Sequence, residues 1–169
     1  MVKQIKERGG IMGLDMYLYI QKREYGSKYY NKEGINLEYP KEITDFIKYD
    51  DVSISRETQY EVGYWRKANA IHGWFVKNCG DGIDECQDIK VSLDRLEELL
   101  LLCETVLKEP GEAPNLLPTT PGFFFGSYGY DEWYFRKIER TIEVLKPVIE
   151  FMRNHKDDYN YSVIYCASW

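Results

Sequence analysis

Two segments of the chain concentrate side chains that can hold or transform a small molecule. The first runs Gly63-Tyr64-Trp65-Arg66-Lys67-Ala68-Asn69-Ala70-Ile71-His72-Gly73-Trp74-Phe75-Val76. Here a strand pattern hands over to a helix pattern with two cations at the junction. Arg66 can clamp a phosphate or carboxylate bidentately, Lys67 adds charge, and amides at the helix start, from Asn69 onward, can assist. Tyr64 and Trp65 offer flat faces for a planar base. The same residues also read as a solvated edge, Arg66 and Lys67, beside a core Trp65.

His72 falls between Ala68 and Phe75–Val76 on the apolar side of that helix, where a buried, hydrogen-bonded histidine is the default. As an acid–base group it would need a carboxylate or hydroxyl partner that spacing does not reveal. The other histidine, His155, ends a helix and suits that helix's negative pole.

The second segment is Gly122-Phe123-Phe124-Phe125-Gly126-Ser127-Tyr128-Gly129-Tyr130-Asp131-Glu132-Trp133-Tyr134. A glycine-spaced loop entering a helix can cradle an anion, but it lacks the Lys-Ser/Thr pair of a P-loop. Asp131 would compete with an anion there. Tyr128, Tyr130 and Trp133 can line a planar pocket with Ser127 as hydrogen-bond donor; alternatively the aromatic residues pack on a sheet. The acidic run Asp81 to Asp88 departs from the EF-hand pattern and reads as a solvated turn. Cys79, Cys86, Cys103 and Cys166 have no zinc-binding spacing and read as small buried hydrophobes in a reducing compartment. No metal site and no cofactor is expected.

These segments need a scaffold, and hydrophobic periodicity supplies one. Residues 13 to 22 alternate Leu14, Met16, Leu18 and Ile20 with polar or tyrosine neighbours, a strand. Residues 23 to 39 read as a long irregular excursion, and Pro40 opens a short helix with Ile43, Phe46 and Ile47 on one face. A second strand spans 59 to 65, with Tyr60, Val62 and Tyr64 on one side. A helix follows from Ala68 to Cys79, ended by Gly80-Asp81-Gly82. A short strand covers 88 to 91. Ser92 caps a helix through Leu107, and Pro110, Pro114, Pro118 and Pro121 mark a non-helical connector. Asp131 caps a last long helix, bent at Pro147, and Tyr159 to Trp169 forms a closing strand. The pattern predicts one α+β domain over residues 12–169, a mainly antiparallel sheet with three to four helices packed against it.

Length and charge set the limits. The chain has 169 residues, a single-domain size, with 28 acidic against 22 basic residues and a net charge of −6. That balance disfavours nucleic acid as a partner, because phosphate neutralisation supplies most of such affinity. The apolar run Leu99 to Cys103 is far too short for a membrane span. The 15 Tyr, 7 Phe and 4 Trp suit a wet recognition surface or a tyrosine-rich sheet. Residues Glu7 to Met12 can be encoded by a purine-rich stretch before an ATG codon, so residues 1–11 read as an extension ahead of a start at Met12.

The strings GLDMYL, YWRKANAIHGWFV, LLPT-x-PGFFFG and the terminal A-S-W resemble a family of small uncharacterised proteins encoded by phages and prophages. The resemblance implies a bacterial cytoplasm during infection and a role in counter-defence, replication or host takeover; it transfers no catalytic residue. Together these features predict a non-enzymatic module binding a small nucleotide-like anionic ligand, in one version a sponge for a nucleotide immune signal. Its expected ligand residues are Tyr64, Trp65, Arg66, Lys67, Asn69, Ser127, Tyr128, Tyr130 and Trp133. The alternatives are a nucleotide-directed hydrolase or transferase using His72, and an inhibitor of a host protein. The terminal Trp169, costly to expose, points to burial on a sheet edge or in a homodimer.

Overall fold

The computed structural model describes residues 13–26, 37–47 and 53–169. The start at Met12, and residues 27–36 of the expected excursion, lie outside the described residues. Among the described residues four strands form one antiparallel sheet: β1 (Asp15–Tyr25), β2 (Ser55–Arg66), β3 (Ile89–Val91) and β4 (Tyr161–Ser168), in the order β2-β1-β4-β3. Three long helices, α2 (Asn69–Cys79), α3 (Leu93–Lys108) and α5 (Glu132–Asn154), share one core with the sheet's inner face. The architecture is the α+β single domain that the periodicity predicts.

The strands end where charge pairs end. Strand β1 runs to Tyr25 and β2 begins at Ser55, beyond the expected limits at Lys22 and Gln59. Arg23 sits opposite Glu57, and Glu24 opposite Arg56. Both are ion pairs, with Arg56 Nη2 2.6 Å from Glu24 Oε2. Opposite charges directly across a ladder stabilise polar strand ends that carry no hydrophobic signal. The register slips once, so that Leu18 faces Gly63 while Tyr19 faces Glu61 and Val62 is the extra residue. This bulge places Tyr60 across from Ile20 and Tyr64 across from Tyr17, splitting the face that Tyr60, Val62 and Tyr64 were expected to share.

The helix caps follow the sequence. The Ser92 and Asp131 side chains accept the Arg95 and Tyr134 amides, the latter at 3.0 Å. Helix α5 continues through Pro147, which has no amide hydrogen to give the Glu143 carbonyl, and both residues are exposed. The connector departs from expectation: a 3-10 turn (Pro110–Glu112) and the short helix α4 (Ala113–Leu116) occupy it. Pro110 and Pro114 start those turns, where an amide hydrogen has no helical partner to lose. Helix α1 (Lys41–Thr44) is a single turn that buries nothing, so Ile43 and Phe46 stay exposed.

Trp65 joins the sheet to α5. It is 2% exposed, and its indole Nε1 donates to Thr141 Oγ1 at 3.0 Å, while that hydroxyl donates to the Lys137 carbonyl at 2.7 Å. Thr141→Val keeps the shape and strands the indole N–H. The variant should lose about 2 kcal/mol in urea unfolding; a loss under about 0.5 kcal/mol would mean that the bond contributes no net stability.

Candidate functional site

At the end of β2 the chain must turn sharply into α2. Lys67 takes a left-handed conformation, φ 55°, its amide donating to the Leu14 carbonyl at 2.7 Å. Ala68 at the N-cap has no side-chain acceptor, so the first amides of α2 have no cap of that kind. From across the helix layer Lys137 of α5 reaches over, its Nζ donating to the Lys67 carbonyl at 2.5 Å. Burial holds Lys137 below its ordinary pKa, opposed by Asp131 and reinforced by Lys67. The two lysines, Asn69, Ser127, Asp131 and Trp133 line one cleft between the starts of α2 and α5. The enclosed part of the cleft measures only about 20 Å³. That is room for roughly one water-sized group and for no whole nucleotide.

The nine expected ligand residues divide. Lys67, Asn69, Ser127 and Trp133 meet in this cleft, and Trp133 is 65% exposed with the Arg136 guanidinium 5.2 Å from its ring centre. Asn69, however, is buried, and its amide donates to the Phe125 and Ser127 carbonyls at 3.2 and 2.9 Å. It holds the loop that shapes the cleft. Trp65 is core and has no face for a ligand. Tyr64 lies opposite Tyr17, its ring 5.4 Å from that of Tyr17 and its hydroxyl on Asp15 Oδ1, which pushes the Tyr64 pKa up to about 12. Arg66 is exposed on the strand beside it. Tyr128 and Tyr130 are spent on the loop itself: the Tyr128 hydroxyl donates to the Gly122 carbonyl at 3.2 Å, and that of Tyr130 accepts the Thr119 amide at 3.3 Å. Lys137 escaped the sequence reading because it sits 70 positions from Lys67, inside a regular helix.

His72 has both partners an acid–base histidine needs, and no opening. It is 1% exposed, with Nδ1 2.7 Å from the Tyr165 hydroxyl and Nε2 2.9 Å from Asp84 Oδ2. A carboxylate only accepts, so Nε2 carries a hydrogen towards Asp84, and in the neutral imidazole Nδ1 receives the Tyr165 O–H. Phe125 closes one side edge-on at 5.1 Å, and Phe75 stacks on Tyr165 at 4.1 Å. Burial drives the Tyr165 pKa well above its usual value, with Asp84 adding to the rise, so that hydroxyl stays protonated. A substrate has no approach to the imidazole.

Asp84 corrects the expectation of a merely solvated acidic turn, since its other oxygen accepts from the Trp169 indole at 3.2 Å. Trp169 lies partly over Phe125 and remains 51% exposed. Among the described residues no cluster of His, Cys, Asp and Glu suits a metal ion, and no helix is long and apolar enough to cross a membrane. No disulfide links the four cysteines; Cys103 is buried as expected, whereas Cys86 is exposed. Comparison with protein-family profiles, with curated proteins and with solved structures finds no match.

Proposed function

We infer that the protein is a non-enzymatic binder of a small anionic, nucleotide-like ligand, which sets one oxygen of an oxyanion group into the mouth of the Lys67–Lys137 cleft and its planar part over Trp133. The observation that carries this reading is the convergence of two lysines, one of them partly desolvated, at the start of α2 beside an exposed tryptophan. A desolvated ammonium lacks part of its water shell, and an anion restores the missing interaction. What favours holding over turnover is that the acid–base candidate His72 is enclosed and doubly bonded. In the phage setting that the sequence resembles, sequestration of a nucleotide signal is the concrete form, in a bacterial host's cytoplasm.

Titration with inorganic phosphate and with purine mononucleotides, followed by tryptophan fluorescence and calorimetry, tests the reading. Lys137→Met and Lys67→Gly, the latter suited to the left-handed backbone, should each weaken binding about ten- to a hundredfold, the value of one charged hydrogen bond. Trp133→Ala should spare phosphate and weaken the mononucleotide. Affinity should fall as pH rises through the lowered Lys137 pKa, because only the ammonium form attracts an anion. Absence of binding by every ligand overturns the proposal, and recovery of a chemically altered nucleotide replaces it with an enzyme.

A further inference from the structure

The loop between α4 and α5 spends stability on its outer surface. The Phe125 amide donates to the Gly122 carbonyl at 3.2 Å, closing a turn in which Phe124 has φ 70°. That is the third position of a type II turn, where glycine is favoured and an L side chain is strained. The turn nonetheless carries a phenylalanine there. Phe123 beside it is 81% exposed and Phe124 37%, their rings edge-to-face at 4.3 Å. Neither contributes to the core. The loop is not loose, however. Phe125 folds inward over Gly122, where any Cβ would lie 2.3 Å from its ring, and packs against His72. Asn69 holds the carbonyls of Phe125 and Ser127 from beneath. The result is a rigid, convex apolar knob, which loses little entropy on insertion into a partner.

A hole lies a few residues away along the chain. Between α2, α3 and α4 lies a depression of about 300 Å³, whose apolar part is formed by Trp74, Leu102, Leu116, Leu117 and Pro118, with polar side chains, Lys77 and Glu98 among them, lining the rest. Thr120, on its rim, packs against Gly73, where an added Cβ would meet its hydroxyl at 1.9 Å, and it precedes Phe123 by three residues. Knob and hole are therefore neighbours along the chain.

We propose that Phe123 and Phe124 of one copy enter the Trp74–Leu116 hole of a second copy, reciprocally about a twofold axis. A twofold arrangement uses one self-complementary patch twice and closes without forming a fibre. Two knobs and two holes would bury about 1,000 Å², below the roughly 1,200–2,000 Å² of a stable specific interface, so the dimer is weak and transient. The net charge of −6 sets copies against one another, which salt relieves, and it opposes the alternative of an anionic membrane surface. This inference uses none of the ligand residues assigned above.

Sedimentation velocity of the full chain over the micromolar range tests it. The wild-type mass should move from 20.0 kDa towards twice that value with concentration and with added salt. F123S/F124G, which also relieves the strained φ, and separately Leu116→Arg in the hole, should each remain at 20.0 kDa. Circular dichroism checks that both variants fold. Mixing the two variants should restore part of the association, because one knob and one hole remain intact between them. A wild type that stays monomeric, or a dimer indifferent to F123S/F124G, overturns the proposal. Phe123-dependent flotation with neutral lipid vesicles, without a dimer, would hand the knob to a membrane instead.

Discussion

His72→Ala is expected to destabilise the fold by about 4 kcal/mol, roughly a cavity cost plus a stranded polar group. The substitution empties a space enclosed by Phe125 and Tyr165. It leaves the Tyr165 hydroxyl without its 2.7 Å partner in a site that water does not reach. It also releases Asp84 from its inner contact, leaving that residue to Trp169 alone. Urea unfolding measures the loss, and an unchanged slope shows that stability, not compactness, has altered. Tyr165→Phe in the H72A background should recover about 1 kcal/mol, because it deletes the group that the first change orphaned. If H72A costs less than about 1 kcal/mol, the network is not a structural one.

Gly63→Ala is the second large effect, from a single added methyl group. The new Cβ would stand 2.5 Å from Val144 Cγ1, 3.1 Å from the Trp65 ring and 3.2 Å from Leu18 Cβ. Valine in a helix is nearly confined to one χ1 rotamer, so Val144 cannot turn aside, and α5 must instead lift from the sheet. Overpacking of this kind costs about 3 kcal/mol. The shift in the urea midpoint gives the magnitude, and the double variant G63A/V144A identifies the cause. Its loss should be smaller than the two single losses combined by about 1–2 kcal/mol, since each change makes room for the other. Strict additivity would place the strain elsewhere.

Legibility in the sequence followed the range of the forces. The strands and helices of the core could be read because alternation and the 3.6-residue period record which side is buried, as in Met16, Leu18 and Ile20 or Ile138, Leu145 and Ile149. The caps at Ser92 and Asp131 were legible because they act within four residues. The ends of β1 and β2 were not, since Arg23–Glu57 and Glu24–Arg56 form only after the hairpin pairs. The bulge at Val62 escaped for the same reason, and with it the separation of Tyr60 from Tyr64.

In the candidate site, local chemistry identified Lys67 and Trp133. Only tertiary packing could add Lys137, withdraw Trp65 into the core and turn Asn69 from ligand donor to loop anchor. Asp84 shows the limit most plainly. Its sequence neighbourhood, Asp81-Gly82-Ile83-Asp84-Glu85, describes solvent, while its partners His72 and Trp169 lie 12 and 85 positions away.

The strand order has a consequence for biosynthesis. Strand β4 lies between β1 and β3, bonded to both, yet the ribosome makes it after every other described element. Until residues 161–168 emerge, the inner edges of β1 and β3 have no partner, and the core faces of α3 and α5 have a sheet missing a central strand. The hairpin of β1 with β2 and the pairing of α3 with α5 can form before then, but the cooperative fold cannot close until β4 has emerged. Joining β1 to β4 across about 145 intervening positions is a slow, high-contact-order step. During that interval the open edge of β1, with its alternating apolar residues, is what a holding chaperone would meet.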